Sequence, residues 1–453
     1  MKVRIGWLRG GAPGDLCLVS GKIYDALQLL PETRYCLHLG QWRKDITIGR
    51  VAVDGECVFL NEALLRSEWD GKDADYITNL EVNIWKEGCN LHLGPVIGIF
   101  LNPKRLHVPD RLNPLHKHME AGYARNFLCY NFSLQDIDWE KKRIKGFTWI
   151  PEEDKWIYAW LPMPDVIYDR GARFSEGQKA AVKELRARFR RDFNIPFINS
   201  RDYIGKWKAY QVLANNNATA KYLPWTIRYE GFRNVEKMLK QYGLVFLKSY
   251  YGSRGRQVMS IEDQGGVYRI IHYAGKLQEI ILKNSDELKE CIEDFTAGKK
   301  FIVQQGIRLL EYKGRPFDMR VLIIKDGKGD WRVISNYARI ARPGLTITNY
   351  SAGGECNFYT NIYPDLQCKG SVPSYADVAG AALEIASVLD GQLGPFGELG
   401  LDLAIDEGGA IWFIEANTKP DKDLVVGLDK IDGIHSQYLS IFEYAGYLCG
   451  LKG

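Results

Sequence analysis

Near the C-terminal end of the chain, two stretches that read as paired strands carry their polar residues on one face. Leu399, Leu401, Leu403 and Ile405 alternate with Gly400, Asp402 and Ala404, so Asp402 points away from the four aliphatic side chains. Asp406-Glu407-Gly408-Gly409 is a turn signal. Ala410 to Ala416 reads as the returning strand, with Glu415 and Asn417 on one of its faces, about 6–7 Å apart along it. A two-residue loop pairs residue 406 with 409, and a four-residue loop pairs 405 with 410. Either register sets residue 402 opposite 413 and makes Glu415 the diagonal neighbour of Asp402, whereas a three-residue loop sends the two carboxylates to opposite faces. Two carboxylates and an amide oxygen converging from adjacent strands form a hard-oxygen donor set of the kind Mg²⁺ takes. The plain alternative is a solvated hairpin face. Glu415 argues against it by closing the strongly apolar run Ile411-Trp412-Phe413-Ile414.

A chain of 453 residues has room for two to four domains, each with its own core. Hydrophobic residues make up 46% and charged residues 26%, so an ordinary soluble globular protein is expected. A net charge of +4 is small for this length and supports neither a nucleic-acid nor a membrane role. Met1-Lys-Val-Arg-Ile-Gly-Trp-Leu-Arg9 lacks the apolar core of a signal peptide, and Leu93 to Leu101 is too short to span a bilayer. Nine dispersed cysteines without a Cys-x-x-Cys pair read as reduced thiols in a cytoplasmic setting. His107, His116 and His118 lie close together without a further ligand at metal spacing, and a surface loop accounts for all three.

Residues 1–90 look β-rich and carry no apparent chemistry, which makes them an accessory domain. Within them Val51 to Phe59 reads as a hairpin turning at Asp54-Gly55. Residues 91–200 read as a small α/β domain. Leu93 to Phe100 and Asp165 to Tyr168 are strands. Ser175-Glu-Gly-Gln178 is a capping box before a helix with Val182, Leu185, Phe189 and Phe193 at helical spacing. A new unit opens at Lys206, where Trp207, Tyr210 and Leu213 form a helical stripe. A helix with Val378, Ala381, Ile385 and Leu389 on one face precedes the hairpin described above.

Leu247-Lys248-Ser-Tyr-Tyr-Gly252-Ser253-Arg254-Gly255 reads as a strand, a lysine and a Gly/Ser loop. Glycines let backbone N–H groups approach an anion, and Lys248 adds a positive charge at the mouth of the loop. Alone this is no more than a hairpin loop. Its setting adds weight: Lys206 precedes it, and Val303-Gln304-Gln305, Phe317-Asp-Met-Arg320, Arg339 with Asn349 and Gly353-Gly354, Asp402 and Glu415-x-Asn417-x-x-Pro420 follow in order.

This series resembles the ATP-grasp superfamily and, more closely, the YheC/YheD group associated with bacterial endospore coats. The closer resemblance rests on Gly94-Pro-Val-Ile-Gly-Ile99, Pro164-Asp-Val-Ile-Tyr-Asp-Arg170, Lys206-Trp207 with Tyr222-Leu-Pro-x-Thr226, Phe317-Asp-Met-Arg320, Arg339-Ile-Ala-Arg-Pro-Gly344 and Glu415-Ala-Asn-Thr-Lys-Pro420. It spans roughly residues 91–450. It implies an α/β (α+β) architecture, with residues 201–453 an ATP-grasp domain of two α+β subdomains that hold the nucleotide between them. By the same resemblance Lys206 and Lys248, with Gly252, Ser253 and Gly255, contact ATP phosphates, and Gln304, Gln305 and Ile307 form the adenine hinge. Arg320 and Arg339 stabilise the transferring phosphoryl group or bind a substrate carboxylate, and Asp402, Glu415 and Asn417 hold one or two Mg²⁺. Three positions depart from the pattern: Trp225 stands where Glu is expected, Asp421 where related ligases have Gly, and Gln304-Gln305 where the hinge often has an acidic residue.

The implied activity is that of an ADP-forming ligase. It activates a carboxylate, as in an amino acid, as an acylphosphate and joins it to an amine on a small molecule, peptide or protein. Phosphoryl transfer of this kind is mainly positioning and charge neutralisation. The segment from Ala341 to Glu355, with Thr346, Thr348, Asn349 and Ser351, is the candidate substrate wall. Two other classes stay open: a coat-associated structural protein that keeps the fold without turnover, and a kinase. Residue by residue there are plain readings too. Arg320 can pair with Asp318 as a surface ion pair, and Lys206 can be a solvated lysine like Lys208. The expected location is the cytoplasm, with the spore coat as the location the resemblance adds.

Overall fold

The computed structural model describes residues 1–8, 13–31, 33–62, 64, 80–107, 113–250, 257–274, 276–343, 354–368, 370–422, 430, 431 and 433–451. The chain divides into two compact units. One is Met1–Asp202 with Lys325–Asp330 and Val425–Gly453, and the other is Tyr203–Ile324 with Trp331–Leu424.

In the first unit seven strands close into a barrel, in the order Lys2–Leu8, Cys57–Asn61, Leu16–Ser20, Trp42–Val51, Arg34–Leu39, Asn90–Gly94 and Glu81–Glu87. Alternate residues such as Val3, Ile5, Leu37, Leu39, Leu91 and Leu93 are buried, as period-two strands require. The Asp54-Gly55 turn forms, with Gly55 at φ +87°, but the expected hairpin does not. Leu16–Ser20 lies between its two arms, parallel to Trp42–Val51 and antiparallel to Cys57–Asn61. Turn residues reverse the chain; closing the barrel decides which strand fills each edge.

The same unit holds a second sheet. Its parallel strands run in the order Leu128–Phe132, Val96–Phe100, Val166–Asp169, Phe197–Ile198, with antiparallel strands Arg143–Ile150 and Lys155–Pro162 beyond Leu128. Every residue of Val96–Phe100 is buried, as a strand covered on both faces must be. Helix Glu176–Phe193 starts at the Ser175/Gln178 capping box and shares one hydrophobic cluster with the barrel through Val182, Leu185 and Phe189. His116 and His118 are not in a surface loop. They sit on helix Pro114–Ala124 and are 2% and 1% exposed. Asn113 caps this helix and Pro114 opens it, signals visible in the sequence. The imidazoles pack on rings instead of solvent, His116 against Trp149 and His118 against Tyr438.

The second unit contains two sheets. The first is antiparallel, in the order Thr226–Arg228, Phe301–Gln305, Leu244–Ser249, Val258–Asp263, Tyr268–Ala274, Lys276–Leu282. Helices Phe232–Tyr242 and Ser285–Thr296 cover one face of it through Val235, Met238, Leu239, Leu288 and Ile292. The second sheet runs Glu355–Phe358, Trp331–Ile340, Arg315–Lys325, Glu398–Ile405, Ile411–Asn417. Met319, Val321, Ile323, Ala338, Leu399, Leu401 and Leu403 share a core with Ile362, Val378, Ile385 and Leu389 from helices Tyr359–Gln367 and Tyr375–Leu393. Period two then assigns Asp318, Arg320, Arg339, Asp402 and Gly400 to the opposite face.

The last hairpin departs from both expected registers. Its loop has three residues: the Asp406 N–H donates to the Ala410 carbonyl at 3.0 Å, and Ile405 faces Ile411. That parity alone would set Asp402 against Ile414 and turn Glu415 away. A β-bulge between Asp402 and Leu403 absorbs one residue, so Leu403 pairs with Phe413 while Asp402 pairs with Glu415 and Gly400 with Asn417. The expected 402–413 pairing is therefore wrong, and the two carboxylates are direct cross-strand partners. Asp406 builds the turn, its carboxylate accepting from the Gly408 and Ala410 N–H groups and the Trp412 indole.

Candidate functional site

The polar face of the Asp402 sheet is an ion-pair lattice. Arg320 stands opposite Asp402 in the ladder and donates to both its carboxylate oxygens. Arg339 donates to both oxygens of Asp318 at 2.7 and 2.6 Å and lies 3.2 Å from Asp402 Oδ2. Asp318 thus pairs with Arg339, not with Arg320 as a surface pair would have it. Bidentate arginine pairs of this kind fix both position and plane. Asp402 is 4% exposed; burial alone would raise its pKa, but Arg320 and Arg339 outweigh burial and hold it below the usual value. Arg339 is shifted up, because Asp402 and Asp318 overcome the burial that opposes its charge. Both stay ionised at neutral pH.

Lys206 opens helix Lys206–Ala214 and reaches Glu415, Nζ to Oε2 at 2.9 Å, while Lys208 is exposed. Asn417 lies two residues beyond Glu415, with Nδ2 3.5 Å from the Gly400 carbonyl. Gly400 is needed here: a Cβ would stand 2.9 Å from Pro420. Behind it Glu398 and Lys422 form an ion pair at 2.8 Å with side chains 0% and 1% exposed. Sequence reasoning missed this pair. Its one signal was a lysine two positions past the Glu-x-Asn-x-x-Pro motif.

Lys248 is the penultimate residue of strand Leu244–Ser249 and is buried. Its ammonium donates to Gln304 Oε1 at 2.6 Å, and Gln304 Nε2 donates to the Thr226 hydroxyl at 2.9 Å. Burial first, and then the charge of Lys206, push the Lys248 pKa down to about 8, with Glu415 opposing. The side chain of Gln304 therefore serves the lysine. Gln305 makes the next link, accepting from the Trp225 N–H at 3.1 Å and donating its own N–H to the Trp225 carbonyl at 2.8 Å. The Trp225 side chain itself is 54% exposed. Ile307 is half-buried just beyond, after Gly306, where a Cβ would stand 2.2 Å from Leu244. Gly252, Ser253, Gly255, Thr346, Thr348, Asn349, Ser351 and Gly353 lie outside the described residues.

Lys206, Lys248, Arg320 and Arg339 thus face Asp318, Asp402 and Glu415, one cation more than anions. A site with that balance favours an anionic ligand. Among the described residues no group of three or more His, Cys, Asp or Glu is arranged as a metal site. The two carboxylates and the Asn417 amide still suit Mg²⁺. They are hard oxygens on one face of paired strands, and a carboxylate has about four lone-pair positions, more than Arg320, Arg339 and Lys206 occupy.

Two antiparallel sheets, one carrying the buried Lys248 and the other paired acids, are the elements of an ATP-grasp fold. A model of the YheC/D-like ATP-grasp family matches residues 194–448, more than half of the chain, and the chain belongs to that family. Two Bacillus subtilis (strain 168) proteins are similar to it. The endospore coat-associated protein YheD is 26% identical over 373 residues, covering 79% of this chain and 80% of YheD. The endospore coat-associated protein YheC is 22% identical over 328 residues, covering 72% of this chain and 89% of YheC. Among solved structures, D-alanyl-alanine synthetase A from Vibrio cholerae superposes with a TM-score of 0.47 at 11% identity, over 79% of this chain and 99% of that one. Among the described residues no helix is long and apolar enough to cross a membrane.

Proposed function

We propose that this protein is an ATP- and Mg²⁺-dependent carboxylate–amine ligase that activates a carboxylate, such as that of an amino acid, as an acylphosphate, transfers it to the amine of a peptide or protein, and releases ADP. The observation that carries this reading is the meeting of Lys206 with Glu415 beside an Asp402 held between Arg320 and Arg339. Lys206 and Lys248, with Gly252, Ser253 and Gly255, contact the ATP phosphates. The backbone around Gln304, Gln305 and Ile307 receives the adenine. Asp402, Glu415 and Asn417 would hold the metal, which would neutralise phosphate charge there. Arg320 and Arg339, locked by their carboxylates, present fixed positive charge to the transferring phosphoryl group or to the entering carboxylate, so little reorganisation is left for the transition state. No histidine or cysteine is needed for proton transfer or covalent catalysis in this scheme.

The test is a screen of the proteinogenic amino acids, with amine acceptors, for ADP release, followed by chromatography of the nucleotides and trapping with hydroxylamine. ADP, phosphate and a hydroxamate are expected. AMP formed in step with product would overturn the acylphosphate route. ADP with a phosphorylated hydroxyl product and no amide would establish a kinase instead, and absence of ATP·Mg²⁺ binding by calorimetry would establish a coat protein without turnover.

A further inference from the structure

Two fully buried charges lie beside the candidate site, and no step of the proposed reaction uses them. Glu398 and Lys422 pair at 2.8 Å with side chains 0% and 1% exposed. Side chains so covered are out of reach of ATP, a carboxylate or an amine, so any part they play is played through other residues. Glu398 opens strand Glu398–Ile405, and alternation sets it on the same face as Gly400 and Asp402. At roughly 3.4 Å per residue it stands about 7 Å from Gly400 and about 14 Å from Asp402 along that face.

The segment that carries Lys422 comes back over this face. The ladder between Glu398–Ile405 and Ile411–Asn417 ends with Gly400 opposite Asn417. Continued straight, residue 419 would lie opposite Glu398. Instead Pro420 comes so near Gly400 that a Cβ there would stand 2.9 Å from it, and Lys422 reaches Glu398. Proline has no N–H to give a ladder, which suits a chain that leaves the strand here. Thr418 and Lys422 are both buried. The segment is thus held at two points, Pro420 on Gly400 and Lys422 on Glu398, and Asn417 is the residue from which it starts. Asn417 Nδ2 is directed at the Gly400 carbonyl at 3.5 Å, which leaves Oδ1 as the amide atom for a cation.

Two aliphatic side chains would fill the same space. Taking both ions out of water costs about what their attraction returns, and apolar replacements of similar volume are often neutral or stabilising. Stability is therefore not what the charges add. An ammonium and a carboxylate hold one distance, whereas aliphatic side chains slide past one another, so what the charges add is place. We propose that Glu398 and Lys422 are positioning residues: their ion pair fixes residues 418–422 over Gly400, and through them the Asn417 amide, so that Asp402, Glu415 and Asn417 present their oxygens to Mg²⁺ together. This role rests on the metal reading of that face given above, and it makes metal affinity separable from stability.

The test is metal binding by the full chain, read from the EPR signal of free Mn²⁺ with a non-hydrolysable ATP analogue present, beside thermal melts. The wild type takes up Mn²⁺ beyond what the analogue binds alone. Glu398→Leu combined with Lys422→Met keeps or raises the melting temperature and weakens Mn²⁺ about tenfold, as changes behind metal ligands do. Binding of the analogue in EDTA, without metal, stays as in the wild type. Glu398→Asp keeps the charge, withdraws it by one methylene, and weakens Mn²⁺ by a smaller factor, so the question stays open to measurement if the double variant does not fold. The inference is overturned if either variant, folded, binds Mn²⁺ as the wild type does, or if binding of the analogue in EDTA falls by the same factor as the metal. A wild type that binds the analogue but no Mn²⁺ is a different failure: it removes the metal reading of Asp402, Glu415 and Asn417, and this role with it.

Discussion

The two sheets of the second unit treat buried charge in opposite ways. On the Asp402 sheet every charge in the centre has a partner: Arg320 with Asp402, and Arg339 with both Asp318 and Asp402. On the other sheet Lys248 is buried against a neutral amide, Gln304, and its pKa falls to about 8. The first arrangement fixes geometry at the expense of adaptability, because each carboxylate is held by arginine forks. The second keeps a cation in an electrostatically unfavourable state, which on the proposed reading an arriving polyphosphate would relieve. On the proposed reading one sheet positions and the other captures, and substitutions should separate the two roles.

The largest effect is expected for Asp402→Asn. It removes the charge that Arg320 and Arg339 share, at side chains 19% and 6% exposed. Breaking a buried pair from one side costs about 3 kcal/mol or more, so the melting temperature falls, and turnover falls by about 100-fold or more because the arginines and the metal ligand lose register together. Thermal melts and ADP release check both. An unchanged melting temperature would mean that the lattice does not fix the sheet.

Next comes Glu415→Gln. Its side chain is 30% exposed and pairs with Lys206 at 2.9 Å, so the fold should survive while turnover drops sharply for want of one ligand charge. Loss of activity without loss of melting temperature would separate catalytic from structural carboxylates on a single sheet. Wild-type turnover would remove Glu415 from the site.

How much of this was legible in the sequence follows the range of each signal. The alternation of Leu399, Leu401 and Leu403 and the Ser175/Gln178 box are local, and they place their strand and helix correctly. The Asp402–Glu415 partnership was anticipated for the wrong register, because a bulge leaves no mark in the residue pattern; it is set by how Ile411 and Phe413 fit the core against the three-residue loop. The strand inserted beside Cys57–Asn61 and the burial of His116 depend on segments tens of residues away. No local pattern reports those. Lys422 belongs to the same class, since only its partner Glu398 on the preceding strand gives it meaning.

A smaller effect is expected on the capturing side. Lys248→Ala should raise the ATP KM, lower kcat, or both, according to whether the contact forms in the ground state or strengthens later. In the wild type, ATP affinity should weaken as pH rises through about 8, where the unliganded protein loses the Lys248 proton, and Lys248→Arg should flatten that profile. The stability linkage has the opposite sense. Below about 8 the lysine is protonated both folded and unfolded, and its burial costs stability in full. Between about 8 and 10.5 the unfolded chain binds the extra proton, so this group makes the fold more stable as pH rises. A flat ATP-affinity profile from pH 7 to 9 would show that Lys248 does not meet the phosphates.

The smallest expected effect links the two sheets. Lys206 lowers the Lys248 pKa and Glu415 raises it, so the two members of the Lys206–Glu415 pair act on Lys248 with opposite sign. Lys206→Gln should therefore move the Lys248 midpoint up and Glu415→Gln should move it down. Each displacement should be on the order of one pH unit or less, because the charges act through partly screened space. NMR titration of ¹³C-labelled lysine without nucleotide reads this directly, and Lys248→Ala identifies the resonance. Opposite displacements would show that the positioning sheet tunes the capturing one through its own ion pair. If both variants leave the midpoint in place, burial alone sets the lysine and the two sheets act independently before ATP arrives. If both move it the same way, the substitutions have altered how deeply Lys248 is buried, and the division between the sheets is structural and not electrostatic.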